Sequence, residues 1–434
     1  MIRLPAYKTG KTFNIKIDRE ELTLFLYINI SMIQVFTARI GRLTSNQELA
    51  SSILSQFILG GFVLCWCKDK VVKRISLLIP VMTILIFMLS VFIYPDRKDL
   101  ILSCENGLWS VISVGGSMTG FFIVVNLKDY TKLEKVMGIS LWYQVPYLLY
   151  ICIRAKKVGY WIVKVGNDVF ESSYNMEIGY KMSLVAVLLV YAFYKSRKLI
   201  LLILSILFEV LIILFGSRGA MLPLIVYLIM WFFIGKGDNK RREVGKKLVI
   251  VAICGIVMFF VICNIGTISR SVNDFFLRKI NYYSRTLMRF INGDMGNSTS
   301  RINLWKPILK ALRDNIYLPL GLYADRELVG TYSHNFIIEI VSNFGMFGLG
   351  AILYLCFQTV KFFTTCKDEK EKMFLSVFIS YSVSRLMLSS SFWAEQYFWI
   401  YLALLMIGIC NYRIGNKVRY GMSADDTGIV QRST

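Results

Sequence analysis

Histidine is nearly missing from this chain: His334 is the single one in 434 residues. Cys65 and Cys67 have the spacing of a zinc site, but no second pair and no nearby histidine accompany them, and there is no Asp-x-Asp motif. No metal and no other cofactor is expected. The 9 cysteines fall mostly inside apolar runs or at their ends, and only Cys104 lies clearly in an outer loop, so no disulfide pair is expected there. Acidic residues are also scarce: 28 Asp and Glu stand against 50 Lys and Arg, a net charge of +22. On a soluble protein that excess would suggest nucleic acid. Here no nucleic-acid motif goes with it and the cations gather in alternate loops, so nucleic acid is rejected as a partner. No repeat relates the two halves, and the inverted-repeat signature of many transporters is therefore missing.

What the chain has in quantity is hydrophobicity, 56% of residues with a mean hydropathy of +0.55. Runs long enough to cross a hydrocarbon core of about 30 Å recur along it, and one soluble core could not hold them all. The expected fold is all-α: a polytopic membrane protein with spans at 22–37, 49–66, 75–94, 108–126, 136–153, 178–194, 199–215, 219–234, 248–266, 334–358, 373–390 and 393–410. No small-residue cleavage site follows the first run, which therefore reads as a retained span. Segment 1–21, loops 67–74, 127–135, 195–198, 235–247 and 361–372, and the tail 411–434 are all basic. Every second connection is thus positive, which places both termini in the cytoplasm. Loop 154–177 breaks the bias with Arg154, Lys156, Lys157 and Lys164. Outer cations of this kind are candidates for binding an anion.

The organisation expected is a cytoplasmic segment 1–21, spans one to nine within 22–266, a large extracytoplasmic loop 267–333, spans ten to twelve within 334–410, and a cytoplasmic tail. A connection as long as 267–333 is usually functional. Within it, 272–291 carries Val272, Phe275, Phe276, Ile280, Tyr283 and Leu287 at helical spacing, and 302–313 is a second helical stretch. Both read as parts of a lid packed on the membrane.

Charged residues inside spans are costly and suggest function. Glu177 and Lys181 open span six, Glu209 lies about 9 Å below the outer end of span seven, and Arg218 sits in the turn after it. His334 and Glu339 open span ten, Arg385 lies near the outer end of span eleven, and Glu395 just inside span twelve. All fall in the outer third. An ion or proton relay would need polar groups through the whole thickness; a site at the outer surface would not. Each residue also has a purely structural reading. Arg218 can snorkel from a turn, Glu209 and Arg385 can pair, and Ser333, His334 and Asn335 can cap a helix.

Three segments, Gly216-Ser217-Arg218-Gly219-Ala220, Ser300-Arg301-Ile-Asn-Leu-Trp305-Lys, and Ser333-His334-Asn335-Phe336 with Gly345-Met-Phe-Gly348-Leu349, together resemble the O-antigen ligase and polymerase superfamily. Asn175-Met-Glu177-Ile-Gly179-Tyr180 looks like the segment that often opens that family's sixth span, and Arg285 with Gly296 has the Arg-x10-Gly spacing described for its polymerases. The resemblance covers roughly residues 175–360. It implies a metal-independent glycosyltransferase at the outer face of the bacterial inner membrane, acting on glycans carried by undecaprenyl diphosphate. A polymerase would extend the chain by a repeat unit; a ligase would move the finished chain onto lipid A-core. The glycan would be O-antigen or capsular polysaccharide, and the implied partners are the bilayer, the lipid-linked substrate, and a chain-length regulator and flippase of the same pathway.

The residues suit that chemistry. A diphosphate leaving group needs fixed cations, and arginine binds phosphate through bidentate, always-charged donors. Arg218 and Arg301 are the first candidates, with Arg285 and Arg289 behind them. His334 can deprotonate or orient the acceptor hydroxyl near neutral pH, and Glu339 is the alternative. Tyr332, Trp305, Tyr282 and Tyr283 are candidates for stacking on sugars, and Asn335, Glu177 and Arg385 for other substrate contacts. A different class, a lipid-glycan flippase or transporter, would need charges lining the mid-membrane and no large outer lid.

Overall fold

The computed structural model describes residues 17–30, 47–68, 72–103, 107–234, 265–292, 299–314 and 317–419, apart from a few single positions and one pair, and isolated positions elsewhere. Span nine up to residue 264 and the basic loop 235–247 lie outside the described residues. The chain forms two compact units, Met1–Ser140 and Leu141–Thr434. Both are helical, and the protein is an all-α polytopic membrane protein. Helices Arg74–Ile93, Leu108–Val125, Thr131–Val158, Met176–Ser196 and Phe336–Thr365 are long and apolar enough to cross a membrane, and Ile53–Cys67, Leu199–Phe215, Arg218–Ile234 and Gln396–Cys410 are shorter apolar helices. Large apolar side chains point outward on these helices: Phe92 is 85% exposed, Trp142 86% and Phe347 80%. Such surface is stable against lipid and not against water.

In the first unit, Arg19–Ile28 begins with a capping box between Asp18 and Glu21. Lys135 holds Glu21 at 2.7 Å, and Lys132 bonds both Asp18 and Glu20. The expected fourth span is interrupted: Leu108–Ile112 and Ser117–Val125 are separate pieces. Gly116 stands at the break, where a Cβ would meet the Ser110 and Val111 carbonyl oxygens at 2.6 Å.

The second unit is built around Met176–Ser196, which is buried from Gly179 to Tyr191 on nearly every side, as befits a helix apolar all round. Leu199–Phe215, Leu222–Ile234 and Glu369–Leu388 pack against it. Glu369–Leu388 is long enough to span but is not strongly apolar. It takes an interior place instead, and its buried hydroxyls bond back to their own helix, Ser376 to Lys372 O at 2.8 Å and Ser380 to Val377 O at 3.0 Å. Those internal bonds satisfy polar side chains where water is excluded.

Two expected loops have more structure than their sequences suggested. Loop 154–177 contains an antiparallel hairpin, Trp161–Val165 with Asp168–Ser172, and Trp161 packs edge-on against Phe215 with ring centroids 5.8 Å apart. The expected helix 272–291 is two helices, Ile265–Ile280 and Arg285–Ile291, followed by Thr299–Asp314 and the short Ala324–Val329. The Phe336–Thr365 helix kinks at Gly345, with φ 59° and ψ −141°. A Cβ at Gly345 would stand 2.8 Å from the Leu318 carbonyl carbon, so the kink receives the 318–323 segment, which is tied in by Leu320 N to Ser342 O at 3.0 Å.

Candidate functional site

The turn Gly216–Gly219 is fixed by close approaches that only glycine allows. A Cβ on Gly179 would lie 3.0 Å from the Gly216 Cα, and one on Gly219 would lie 2.5 Å from the Tyr180 hydroxyl. Asn175 caps Met176–Ser196 by accepting from Ile178 N at 3.0 Å, and its own amide donates to Phe215 O at 2.9 Å. From the loop, Ser284 Oγ donates to Ile213 O at 2.7 Å and Thr286 Oγ1 to Gly216 O at 3.1 Å. These bonds seat the Arg285–Ile291 helix on the end of Leu199–Phe215. They also occupy carbonyls that would otherwise present the negative end of a helix dipole.

The result is a cleft of about 150 Å³ lined by Arg218, Arg285, Arg289 and Arg301 together with Tyr174, Met176, Gly216, Ser217, Gly219, Thr286 and Ser389. None of these lining residues is acidic. Arg285 lies over the Tyr174 ring, 4.5 Å from its centroid, and Arg301 donates to Leu388 O at 3.0 Å. Arg289 has no ion-pair partner among the described residues. Four arginines on the lining of one small cleft give it the charge and the donors that suit a multiply charged anion.

His334 does not line this cleft; it stands beside it. Its ring packs on Tyr332 at 4.1 Å between centroids, and Tyr332 donates to Ser389 O at 2.7 Å, on the residue that closes the cleft. Burial, and then the charge of Arg301, hold the His334 imidazole down to about 4 from its ordinary 6.5. It is therefore neutral at physiological pH and can accept a hydrogen bond. Desolvation by its neighbours is the part of this shift that the sequence does not display. Its backbone lies in the left-handed region at φ 53°, a conformation that costs roughly 1–3 kcal/mol in a non-glycine residue and persists only where its surroundings impose it. Those surroundings are at hand. Ser333 N donates to Asp325 at 2.9 Å, Trp305 Nε1 donates to Ser333 O at 2.8 Å, and Asn335 caps the following helix through Ile337 N and Ile338 N.

The other candidates are placed away from the cleft. Glu339 is 1% exposed and bonded to Ser391 Oγ, Phe392 N and Arg326. Trp305 and Asn335 hold the His334 segment as just described. Glu177 is exposed and paired with Lys181 at 3.0 Å. Arg385 pairs with Glu395 at 3.0 Å rather than with Glu209, and donates to the Tyr381 hydroxyl at 2.9 Å. Glu209 Oε1 is buried without a hydrogen-bond partner among the described residues. Tyr282 packs into the interior against Phe215, 4.8 Å between centroids, and Tyr283 lies outside the described residues. Sequence reasoning missed Tyr174, Ser217, Thr286 and Ser389 in the lining, and Arg326 behind it. The Ser389-Ser390-Ser391 run at the end of an apolar span was the one signal for part of this set.

The family model described as O-Antigen ligase matches residues 199–353. Over that segment, about a third of the chain, the protein is similar to the O-antigen ligase family. No curated protein matches the chain. The matched segment includes all four cleft arginines, His334 and the kink at Gly345. Tyr174, Met176 and Ser389 complete the cleft from outside the matched segment.

Proposed function

We propose that the protein is a polysaccharide polymerase acting at the outer face of the cytoplasmic membrane. It moves a growing glycan from undecaprenyl diphosphate to the non-reducing sugar of another lipid-linked repeat unit, without a metal. The observation that carries this reading is the cleft with four arginines and no acidic lining residue, which suits a diphosphate leaving group. Arg218 and Arg301 would stabilise the charge that grows on the diphosphate as the sugar–phosphate bond breaks. Arg285 and Arg289 would hold the substrate. Neutral His334, across Tyr332 and Ser389, would accept the hydrogen bond of the acceptor hydroxyl and take its proton as the new glycosidic bond forms. A diphosphate bound near Arg301 offsets that cation, so the imidazole becomes more basic when the substrate is in place. A single displacement of this kind inverts the anomeric centre. A chain-length regulator and a flippase would act beside it.

A second reading, transfer of finished polymer to lipid A-core, is favoured by the description of the matching family itself. Deletion of the gene followed by a glycan gel separates the two. Loss of a polymerase leaves core capped by one repeat unit. Loss of a ligase leaves bare core, with polymer stranded on its lipid carrier. Unchanged glycan length and attachment would sink both.

A further inference from the structure

Behind the cleft lies a buried cluster that no part of the mechanism above uses. Arg326, 9% exposed at its side chain, donates to Asp325 at 3.2 Å, Glu339 at 3.3 Å and Ser391 Oγ at 3.0 Å, and its guanidinium lies 4.0 Å from the Tyr323 ring centroid. Ser391 and the Phe392 amide also donate to Glu339, and Asp325 accepts from Ser333 N. Three separate pieces of chain meet on one side chain: the short helix Ala324–Val329, the start of Phe336–Thr365, and the turn after Glu369–Leu388.

That meeting point has a direction. Ser333 is one residue from His334, and Ser391 is two from Ser389, which lines the cleft and accepts the bond from Tyr332. The two residues before His334 are thus tied, Ser333 to Asp325 and Tyr332 to the Ser389 turn, and Arg326 bonds Asp325 on one side and Ser391 of that turn on the other. A guanidinium suits the position because its planar fork serves three acceptors at once, which an ammonium group on a flexible stem does less well.

We infer that Arg326 is a positioning residue that locks the Tyr332–His334 segment against the Ser389 edge of the arginine cleft, through Asp325, Glu339 and Ser391. In this role Glu339 is a partner of the lock and not a group that meets substrate. The kinetic part of the inference rests on the proposed glycosyl transfer; the placement of His334 does not.

The test uses the fact that His334 is the chain's single histidine. Diethyl pyrocarbonate labelling of the full-length protein in membranes, read by mass spectrometry on the His334 peptide, reports one imidazole. Arg326→Gln is expected to raise the labelling rate about fivefold or more as the segment loosens. Turnover of lipid-linked repeat units should fall about tenfold or more with KM nearly unchanged, because misplacement by about 1 Å acts on the reacting geometry and not on the arginine cleft. Arg326→Lys should recover part of both. Should Arg326→Gln fail to accumulate, Ser391→Ala removes one bond from the same guanidinium, leaves the charges paired, and should shift both readouts the same way more weakly. Unchanged His334 labelling in the variant that accumulates would overturn the inference, whatever happened to turnover. A labelling change in a protein that does not extend glycans at all would keep the lock and remove the polymerase reading.

Discussion

Gly219→Ala is a substitution whose size can be worked from distances. The new methyl group would stand 2.5 Å from the Tyr180 hydroxyl and 3.1 Å from Leu388 Cδ1. Ordinary contact begins at 3.4 Å, so the tyrosine must retreat by about 1 Å, an overpacking of the kind that costs roughly 1–3 kcal/mol. Tyr180 is 1% exposed and packed edge-on against Tyr381, so it has no free direction in which to move. Its hydroxyl also shares a 2.7 Å hydrogen bond with Ser389 Oγ; losing that adds about 1 kcal/mol. The restriction of the unfolded chain by alanine returns about 0.4–1 kcal/mol, which leaves a net cost of roughly 1–3.5 kcal/mol. Gly350→Ala is the control, since nothing lies within 4 Å of its added Cβ, and it should be neutral or slightly stabilising. Thermal unfolding of the detergent-solubilised variants reads the stability, and repeat-unit turnover reads the displacement of Ser389 at the cleft edge. Gly219→Ala with unchanged stability and turnover would refute the close packing of the Tyr180 hydroxyl on this turn.

In Arg301→Gln, one of the two influences that depress His334 is removed. The imidazole should then titrate above about 4 but still below its ordinary 6.5, because burial remains; histidine-selective NMR of the single imidazole checks this, and an unmoved titration would contradict the contact between the two residues. The same depression makes protonation favour the unfolded chain: the stabilising influence of neutral His334 is complete above about 6.5 and is lost as the pH falls toward 4. His334→Asn, which tolerates the left-handed backbone, should flatten that part of the stability curve. Glu395→Gln removes the 3.0 Å partner of Arg385 and leaves a mostly buried cation unpaired, at a cost of about 3–5 kcal/mol; a variant of wild-type stability would show the pair to be dispensable.

The sequence made the helices legible wherever burial in lipid or protein demanded an apolar surface, as in Met176–Ser196 and Phe336–Thr365. It was less clear for Glu369–Leu388, whose serines satisfy themselves within the helix and lower its hydropathy. The cleft arginines were readable because each stands at the end of an apolar run or in the long connection 267–333, where the expected topology puts few cations. That all four face one space was not readable, since it depends on Ser284 and Thr286 docking the loop onto Leu199–Phe215. Glu339 shows what the sequence leaves open. A carboxylate at the start of a span looked like a candidate for substrate contact, and only the tertiary contacts with Arg326 and Ser391 show it engaged elsewhere. Arg326 itself looked like one more loop cation, because its three acceptors are scattered between residues 325 and 391.

The claim that the arginine cleft carries out glycan extension is met most directly in proteoliposomes holding the purified protein and its lipid-linked repeat units. The wild-type protein should build a ladder of extended glycans, and Arg218→Gln and Arg301→Gln, reconstituted to equal amounts, should each reduce it by about 100-fold or more. Ladders of equal length and rate from both variants would contradict the assignment of the cleft.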